Sequence, residues 1–472
     1  MAQMRRSSTI PRLSLILYWL CAVSACVFIC GNVLLLSPAF KPGDASLDPA
    51  LVNINDGNLY HRLRRLMDIS ADQLHPNFSL STVPTGGANL LPRMLDCDDL
   101  KDIRNRTFVA SGWTKAVYKA KYNGHDVAVK LVDVSGHDML TCMQNGKIAY
   151  FECYARAAQK IIKEILLLQG LAHRNVLQVY GFCVPNGLQD GVAEHPVAMV
   201  SELGESVDII KLLQLSWEDR LRVCMGLTKL IHYLSHSPYG SLSMNDFRRQ
   251  QFILAKDGEI KLTDLDDIGF EEPRCETNYD CQTHFSSANF TLRVPCVDNR
   301  CQGFNEKKNI FNAARHFTTF LLPHGAPRIL RPMTDDIVNS YSNVTVDSAV
   351  LLAKMENIVR LYQKGWHLNK SKLYRSKTEY VKFEKSDFPG LFDYRCRFSL
   401  SGNGCTVSVF DQREAEDICN LDNNCQGFVV SSKKTWTGRK IIHLKNGAGR
   451  ISKDASLTLF LKPGIKVRRH SR

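Results

Sequence analysis

Across residues 108–132 apolar and polar side chains alternate in two runs. Asn123-Gly124 separates them, a dipeptide suited to a tight hairpin turn because both residues tolerate positive φ. The period then changes. Over 154–171 apolar residues recur every three or four positions, as on one face of a helix. Strand-like runs follow at 176–183 and 197–202. Helical spacing then dominates, over 207–215, 216–235, 307–322 and 346–362, and Ser216-Trp-Glu-Asp gives the second of these a cap-like start. Strands first and mainly helices afterwards predict an α+β protein of two lobes.

The N-terminus reads differently. Residues 13–36 carry no charge over 24 positions and follow Arg5, Arg6 and Arg12. A spanning helix needs about 20 apolar residues and a cleaved signal core about 7–15, so length favours a signal-anchor over a signal peptide for 1–36. The upstream arginines keep the N-terminus cytosolic and place the body in the lumen. Residues 37–95, with Pro38, Pro42, Pro49, Pro76, Pro84 and Pro92, read as a stem. Compact sequence starts near Cys97.

Composition narrows the class. Apolar residues make up 44% of the 472 and charged residues 23%, enough for a full core. Lys plus Arg is 60 against 47 acids, a net +13. Ten of those cations and one acid, Asp454, fall within 439–472, which carries +9 and leaves +4 for the rest. The body is therefore no nucleic-acid-binding surface. A solvated basic tail over 447–472 is the plain reading. As a binding surface it would meet sulfated glycans such as heparan sulfate, or an anionic membrane face.

Of 16 cysteines, Cys21, Cys26 and Cys30 lie in the apolar segment. The clusters Cys142/Cys153, Cys275/Cys281, Cys296/Cys301 and Cys396/Cys405/Cys419/Cys425 suggest disulfides in an oxidising compartment. Zinc is the competing reading, but no C-x-x-C pair occurs. The odd remainder leaves a free thiol, and Cys224, in an apolar helical pattern, fits a buried inert one. Sequons begin at Asn77, Asn105, Asn289, Asn343 and Asn369. The cluster at 396–425 marks a stapled C-terminal module over 381–446, for docking or as a structural cap. Thr435-Trp-Thr-Gly-Arg439 within it receives no chemistry.

The chemistry-bearing residues keep a recognisable order. Val109-Ala-Ser-Gly-Trp-Thr-Lys-Ala-Val117 precedes Val127-Ala-Val-Lys130. In protein kinases a glycine-rich loop covers the phosphates, a strand valine meets the base and a lysine follows for the phosphates. Gly112 and Val117 are kept, while Ala110 and Lys115 stand where two glycines are usual. A lysine ending a buried apolar strand needs a charged partner, and Glu164 on the next helix supplies one. Glu202-Leu-Gly204 stands at the hinge position that would offer backbone groups to adenine. Met244-Asn-Asp246-Phe-Arg248, Gln251 and Asp264-Leu-Asp266 follow. Asp246 precedes Asp264 by 18 residues and Gln251 precedes it by 13, the kinase spacing.

These motifs place a protein-kinase-like domain over 96–380. Lys130, held by Glu164, would orient ATP phosphates, and Asp264 with Gln251 would hold Mg²⁺ or Mn²⁺. Asp246 would accept the proton of the attacking hydroxyl, or align it, and Arg248 would stabilise the transferring group. Departures are equally specific. Met244-Asn245 replace His-Arg, Gln251 replaces asparagine and Asp266 replaces the glycine of D-F-G. Residues 273–302 hold four cysteines where cytosolic kinases have a mobile loop.

Gly112-Trp-Thr-Lys-Ala-Val-Tyr118, Ser135-Gly-His-Asp138, Ser216-Trp-Glu-Asp-Arg220, Thr263-Asp-Leu-Asp-Asp267, Asn305-Glu-Lys307 and Thr435-Trp-Thr-Gly-Arg439 carry a closer likeness. Over about 93–446 the chain resembles the secreted tyrosine-protein kinases of the Golgi and extracellular space. The resemblance implies ATP-dependent tyrosine phosphorylation of secretory-pathway and matrix proteins and a role in skeletal and lung development. It implies membrane contact only through the N-terminal segment. A secreted pseudokinase scaffold, or a kinase for Ser/Thr or sugar hydroxyls, are the other readings.

Overall fold

The computed structural model describes residues 94–144, 148–185, 196–285, 289–368, 378–396, 399–400, 404–465 and 467. The expected signal-anchor, nearly all of the expected stem, the sequons at Asn77 and Asn369 and the last five residues lie outside them. Among the described residues no helix is long and apolar enough to cross a membrane.

A short helix α1 (Cys97–Asp102), closed at its start by an Asp96/Asp99 capping box, leads into β1 (Thr107–Ser111), β2 (Lys115–Tyr122) and β3 (His125–Val132). The Asn123-Gly124 turn joins β2 to β3 with φ of 47° and 81°, the positive pair a two-residue hairpin needs. Next come α2 (His137–Gln144), α3 (Tyr150–Gly170), β4 (Val179–Cys183) and β5 (Ala198–Glu202). The first lobe is a five-stranded sheet ordered β1-β2-β3-β5-β4. Helix α3 buries Cys153, Ala157, Ile161, Ile165 and Leu168, the stripe its spacing predicts.

The second lobe begins with β6 (Glu205–Ser206), α4 (Ile209–Gln214) and α5 (Trp217–Ser235), the last capped by the Ser216 hydroxyl. Short strands β7 (Ser243–Met244), β8 (Phe252–Leu254), β9 (Ile260–Leu262) and β10 (Ile268–Gly269) form β6-β8-β9 and β10-β7 sheets that frame the segments holding Asp246 and Asp264. Two hairpins follow, β11 (Gln282–Phe285) with β12 (Phe290–Arg293), then β13 (Cys296–Val297) with β14 (Arg300–Cys301). Disulfides Cys275–Cys296 and Cys281–Cys301 staple them, and Phe285 and Phe290 pack on Phe311 with ring centroids 4.4 and 4.6 Å apart. Helices α6 (Phe304–Ala313), α7 (Arg331–Ser342) and α8 (Ser348–Gln363) complete the lobe. The helix expected at 307–322 is broken by a π-turn at Ala314–Thr318.

The C-terminal module contains β15 (Val381–Asp387), β16 (Thr406–Val409), α9 (Gln412–Leu421), β17 (Gly427–Lys434), β18 (Lys440–Lys445) and β19 (Ser452–Leu461). Its sheet runs β15-β19-β17-β18-β16. The basic tail expected from residue 447 is therefore corrected: β19 lies between β15 and β17, with Leu459 and Leu461 buried. The strip 435–439 docks this module on α5. Trp436 Nε1 donates to the Glu218 carbonyl at 3.1 Å, and the Thr437 hydroxyl and Ser408 Oγ (2.7 Å) donate to the Glu218 carboxylate.

Among the described residues six disulfides form, adding Cys97–Cys183, Cys142–Cys153, Cys396–Cys405 and Cys419–Cys425 to the two above. Cys275, Cys281 and Cys301 cluster as a metal site would, but each is bridged and offers no thiolate. Cys224 is free and buried, and burial pushes its thiol up to about 12. Asn105, Asn289 and Asn343 are all exposed.

Candidate active site

Strand β3 places Lys130 directly opposite Val117 of β2, so the two side chains share a face of the sheet. Glu164 lies in register with the apolar stripe of α3 and is fully buried. A carboxylate there needs a cation, and Lys130 Nζ stands 2.6 Å from Oε1. The same ammonium donates to the Thr263 carbonyl at 2.6 Å, which ties the first lobe to the residue before Asp264.

Lys115 was not expected here. It lies two residues before Val117 and so on the same face of β2. Its ammonium reaches Glu164 Oε2 at 2.6 Å, Asp264 Oδ1 at 2.6 Å and Asp266 Oδ2 at 3.1 Å. Burial alone would lower its pKa, but the carboxylates of Glu164, Asp264 and Asp266 outweigh burial and hold it well above the usual lysine range. Burial raises Asp264, and Lys115 and Lys130 more than reverse that, bringing it to about 2. Asp266 moves the other way, to about 6, because burial and the neighbouring Asp264 prevail over Lys115.

The loop between β1 and β2 is closed by a 2.8 Å bond from Gly112 N to the Lys115 carbonyl. Ala110 pairs with Val117 across the strands, and Trp113 at the tip is exposed beside His137, 4.5 Å between centroids. At the hinge, Glu202 accepts from Gln178 N at 2.8 Å and from Lys261 Nζ at 2.6 Å, so its side chain fixes the corner between the lobes. Gly204 is required by closeness: a Cβ there would stand 2.6 Å from Ile253 Cδ1 and 2.7 Å from the Leu254 carbonyl.

On the other side, buried Met244 takes the histidine position and donates its N–H to Asn309 Oδ1 at 2.9 Å. Phe247 packs on Phe252, centroids 5.3 Å apart, and anchors the segment. Asp246 Oδ2 accepts from Gln251 Nε2 at 2.5 Å and from Arg248 Nη2. The structure thus gathers Lys130, Glu164 and Asp264 into one bonded group and Asp246, Arg248 and Gln251 into another. Gln251, expected beside the metal, has its amide directed to Asp246. Asp264 and Asp266 converge instead on a single cation, the Lys115 ammonium, and such hard oxygen donors fit Mg²⁺ or Mn²⁺. The sequence signals for Lys115 and Asp266 are their positions: one on the valine face of β2, the other two residues beyond the aspartate expected to hold a metal.

Comparison with known proteins identifies the family. Residues 157–340 match the family described as the protein-kinase domain of FAM69. The human extracellular tyrosine-protein kinase PKDCC is 42% identical over 370 residues, covering 78% of this chain and 73% of that protein. The chain belongs to this kinase family. More distant likeness extends to protein O-mannose kinase, at 24% identity over 247 residues in Macaca fascicularis (49% of this chain and 64% of that one). The human O-mannose kinase is 25% identical over 180 residues, 36% of this chain and 45% of that protein. The α+β two-lobed kinase frame and the disulfide-stapled C-terminal module are as the sequence led one to expect.

Proposed function

We propose that the protein is a non-receptor-type tyrosine-protein kinase of the Golgi lumen and extracellular space. It transfers the γ-phosphate of ATP to tyrosines of secreted, matrix and ER- or Golgi-resident proteins, with Mg²⁺ or Mn²⁺. The observation that carries this reading is the buried Lys130–Glu164 pair, bonded to Thr263 and adjoining Asp264. A scaffold gains little from burying these charges, because an unused ion pair in a core is costly.

The residues divide the work. Lys130 is held by Glu164 where phosphate oxygens pass, and orients them. Asp264 and Asp266 would hold the divalent ion, which when bound neutralises charge between the phosphates. Asp246, its Oδ2 fixed by Arg248 and Gln251, aligns the acceptor hydroxyl and takes its proton. Arg248 stands beside it as a cation for the transferring group.

Six disulfides and the name of the 42% identical relative support a secreted location. The skeletal and lung role and tyrosine as acceptor rest on that likeness. Heparan sulfate is the proposed partner of the basic C-terminus, with no nucleic acid and with membrane contact only through residues 1–36.

The test is transfer from labelled ATP by the purified secreted protein with either ion. Acceptors are a tyrosine copolymer, matrix proteins and an O-mannosyl glycan. Phosphotyrosine should appear and fall at least ~100-fold in Lys130→Met and Asp264→Ala. Label on the glycan alone would move the acceptor to a sugar hydroxyl, and no transfer at all would leave a scaffold.

A further inference from the structure

Lys115 and a divalent ion cannot use the same oxygens at once. The ammonium already stands 2.6 and 3.1 Å from Asp264 Oδ1 and Asp266 Oδ2. A divalent ion held by these atoms would set a second cation on oxygens already bonded to the ammonium. One must leave, and only the lysine has a flexible stem.

Its departure leaves no acid orphaned. Glu164 keeps Lys130 on its other oxygen, and the entering ion takes the lysine's place on Asp264 and Asp266. A withdrawn Lys115 stays on the face of β2 shared with Val117 and Lys130, where phosphates would lie. Gln251 is turned towards Asp246 by the bond from its amide nitrogen, whereas Asp264 and Asp266 already meet on one cation.

We propose that Lys115 is the resident counter-ion of the Asp264–Asp266 site, displaced when a divalent ion binds, and that Asp266 rather than Gln251 is the second ligand. This rests on the kinase reading above.

The experiment is direct Mn²⁺ binding, followed by electron paramagnetic resonance of free ion, on the full secreted protein and on Lys115→Met, Asp266→Asn, Gln251→Ala and Asp264→Asn. Lys115→Met should bind Mn²⁺ several-fold more tightly. Asp266→Asn should weaken it about ten-fold, and Gln251→Ala should stay within about two-fold. Acylation of Lys115 in the unsubstituted protein, read by peptide mass spectrometry, should rise when Mn²⁺ is added, which keeps a test in hand if Lys115→Met does not fold. Unchanged or weaker binding by Lys115→Met, or Lys115 labelling indifferent to Mn²⁺, overturns the counter-ion role. A neutral Asp266→Asn beside a weakened Gln251→Ala returns the second ligand to Gln251. Mn²⁺ binding indifferent to Asp264→Asn overturns the kinase site itself, whereas dependence on Asp264 alone sinks only the present proposal.

Discussion

Arg439→Met should unfasten the C-terminal module. Arg439 is 3% exposed, and its Nη2 donates to both Glu414 carboxylate oxygens, at 2.8 and 2.9 Å, and to the Ser408 carbonyl at 3.0 Å. Its guanidinium also lies 4.6 Å over the Tyr362 ring, in α8 of the catalytic lobe. Methionine fills much of the volume but strands Glu414, itself 8% exposed, without a cation. Breaking such a buried pair costs about 3–5 kcal/mol. Losing the cation–π contact adds about 1 kcal/mol. Urea unfolding followed by tryptophan fluorescence reads the loss, since Trp436 reports on the same interface through its bond to Glu218. Adding Glu414→Gln removes the stranded charge, so the double variant should be more stable than Arg439→Met alone. A loss below about 1 kcal/mol, the worth of an exposed ion pair, would refute the reasoning.

Acid should weaken the fold within a defined window. Burial, helped by Lys229 against Glu259, holds His173 down to about 4, and burial with Arg439 does the same for His367. Both rings are neutral in the fold but protonate near 6.5 in the unfolded chain. Their contribution is therefore full above pH 6.5 and lost as pH falls towards 4, about 2 kcal/mol each after allowing for partial exposure. Asp266, raised to about 6, works in the opposite sense. Unfolding free energies at pH 7.5 and 5 should differ accordingly, and His173→Asn with His367→Asn should flatten the difference. Equal stability at both pH values would count against it. Among the disulfides, Cys97–Cys183 spans 86 residues and Cys419–Cys425 only 6. Chain entropy then assigns about 4–5 kcal/mol to the first and about 2 to the second, and paired Cys→Ser variants compared by thermal unfolding should show that order.

The first lobe was legible in the sequence because its signals are local. The Asn123-Gly124 turn, the period of α3 and the lysine at the end of β3 each sit within a few residues of what they determine. The β1–β2 turn was less visible, since Gly112-Trp-Thr reads as part of one run. The motif gives Lys115 no role because it has glycine there, and only the strand alternation points it inward. The C-terminal sheet was missed for another reason. Charge concentrated in 439–472 masked the alternation of Leu457, Leu459 and Leu461, and β19 becomes a strand only by pairing with β15 and β17. The long-range Cys97–Cys183 bridge had no spacing to betray it, because it joins α1 to β4 across the sheet.

The two cross-linked hairpins over 275–301 carry a consequence for how such an enzyme comes into being. They occupy the stretch where cytosolic kinases have a mobile loop, and Cys281, Cys301 and Leu292 are buried in the lobe's core. A segment closed by sulfur–sulfur bonds cannot be opened and shut by adding or removing a phosphate. Its shape is set once, when the thiols are oxidised, so maturation itself becomes the switch. A chain still carrying reduced cysteines would hold its charged residues in order and yet lack the fixed form of this segment. Competence would then date from oxidation, a covalent event in the life of each molecule that no later signal needs to repeat.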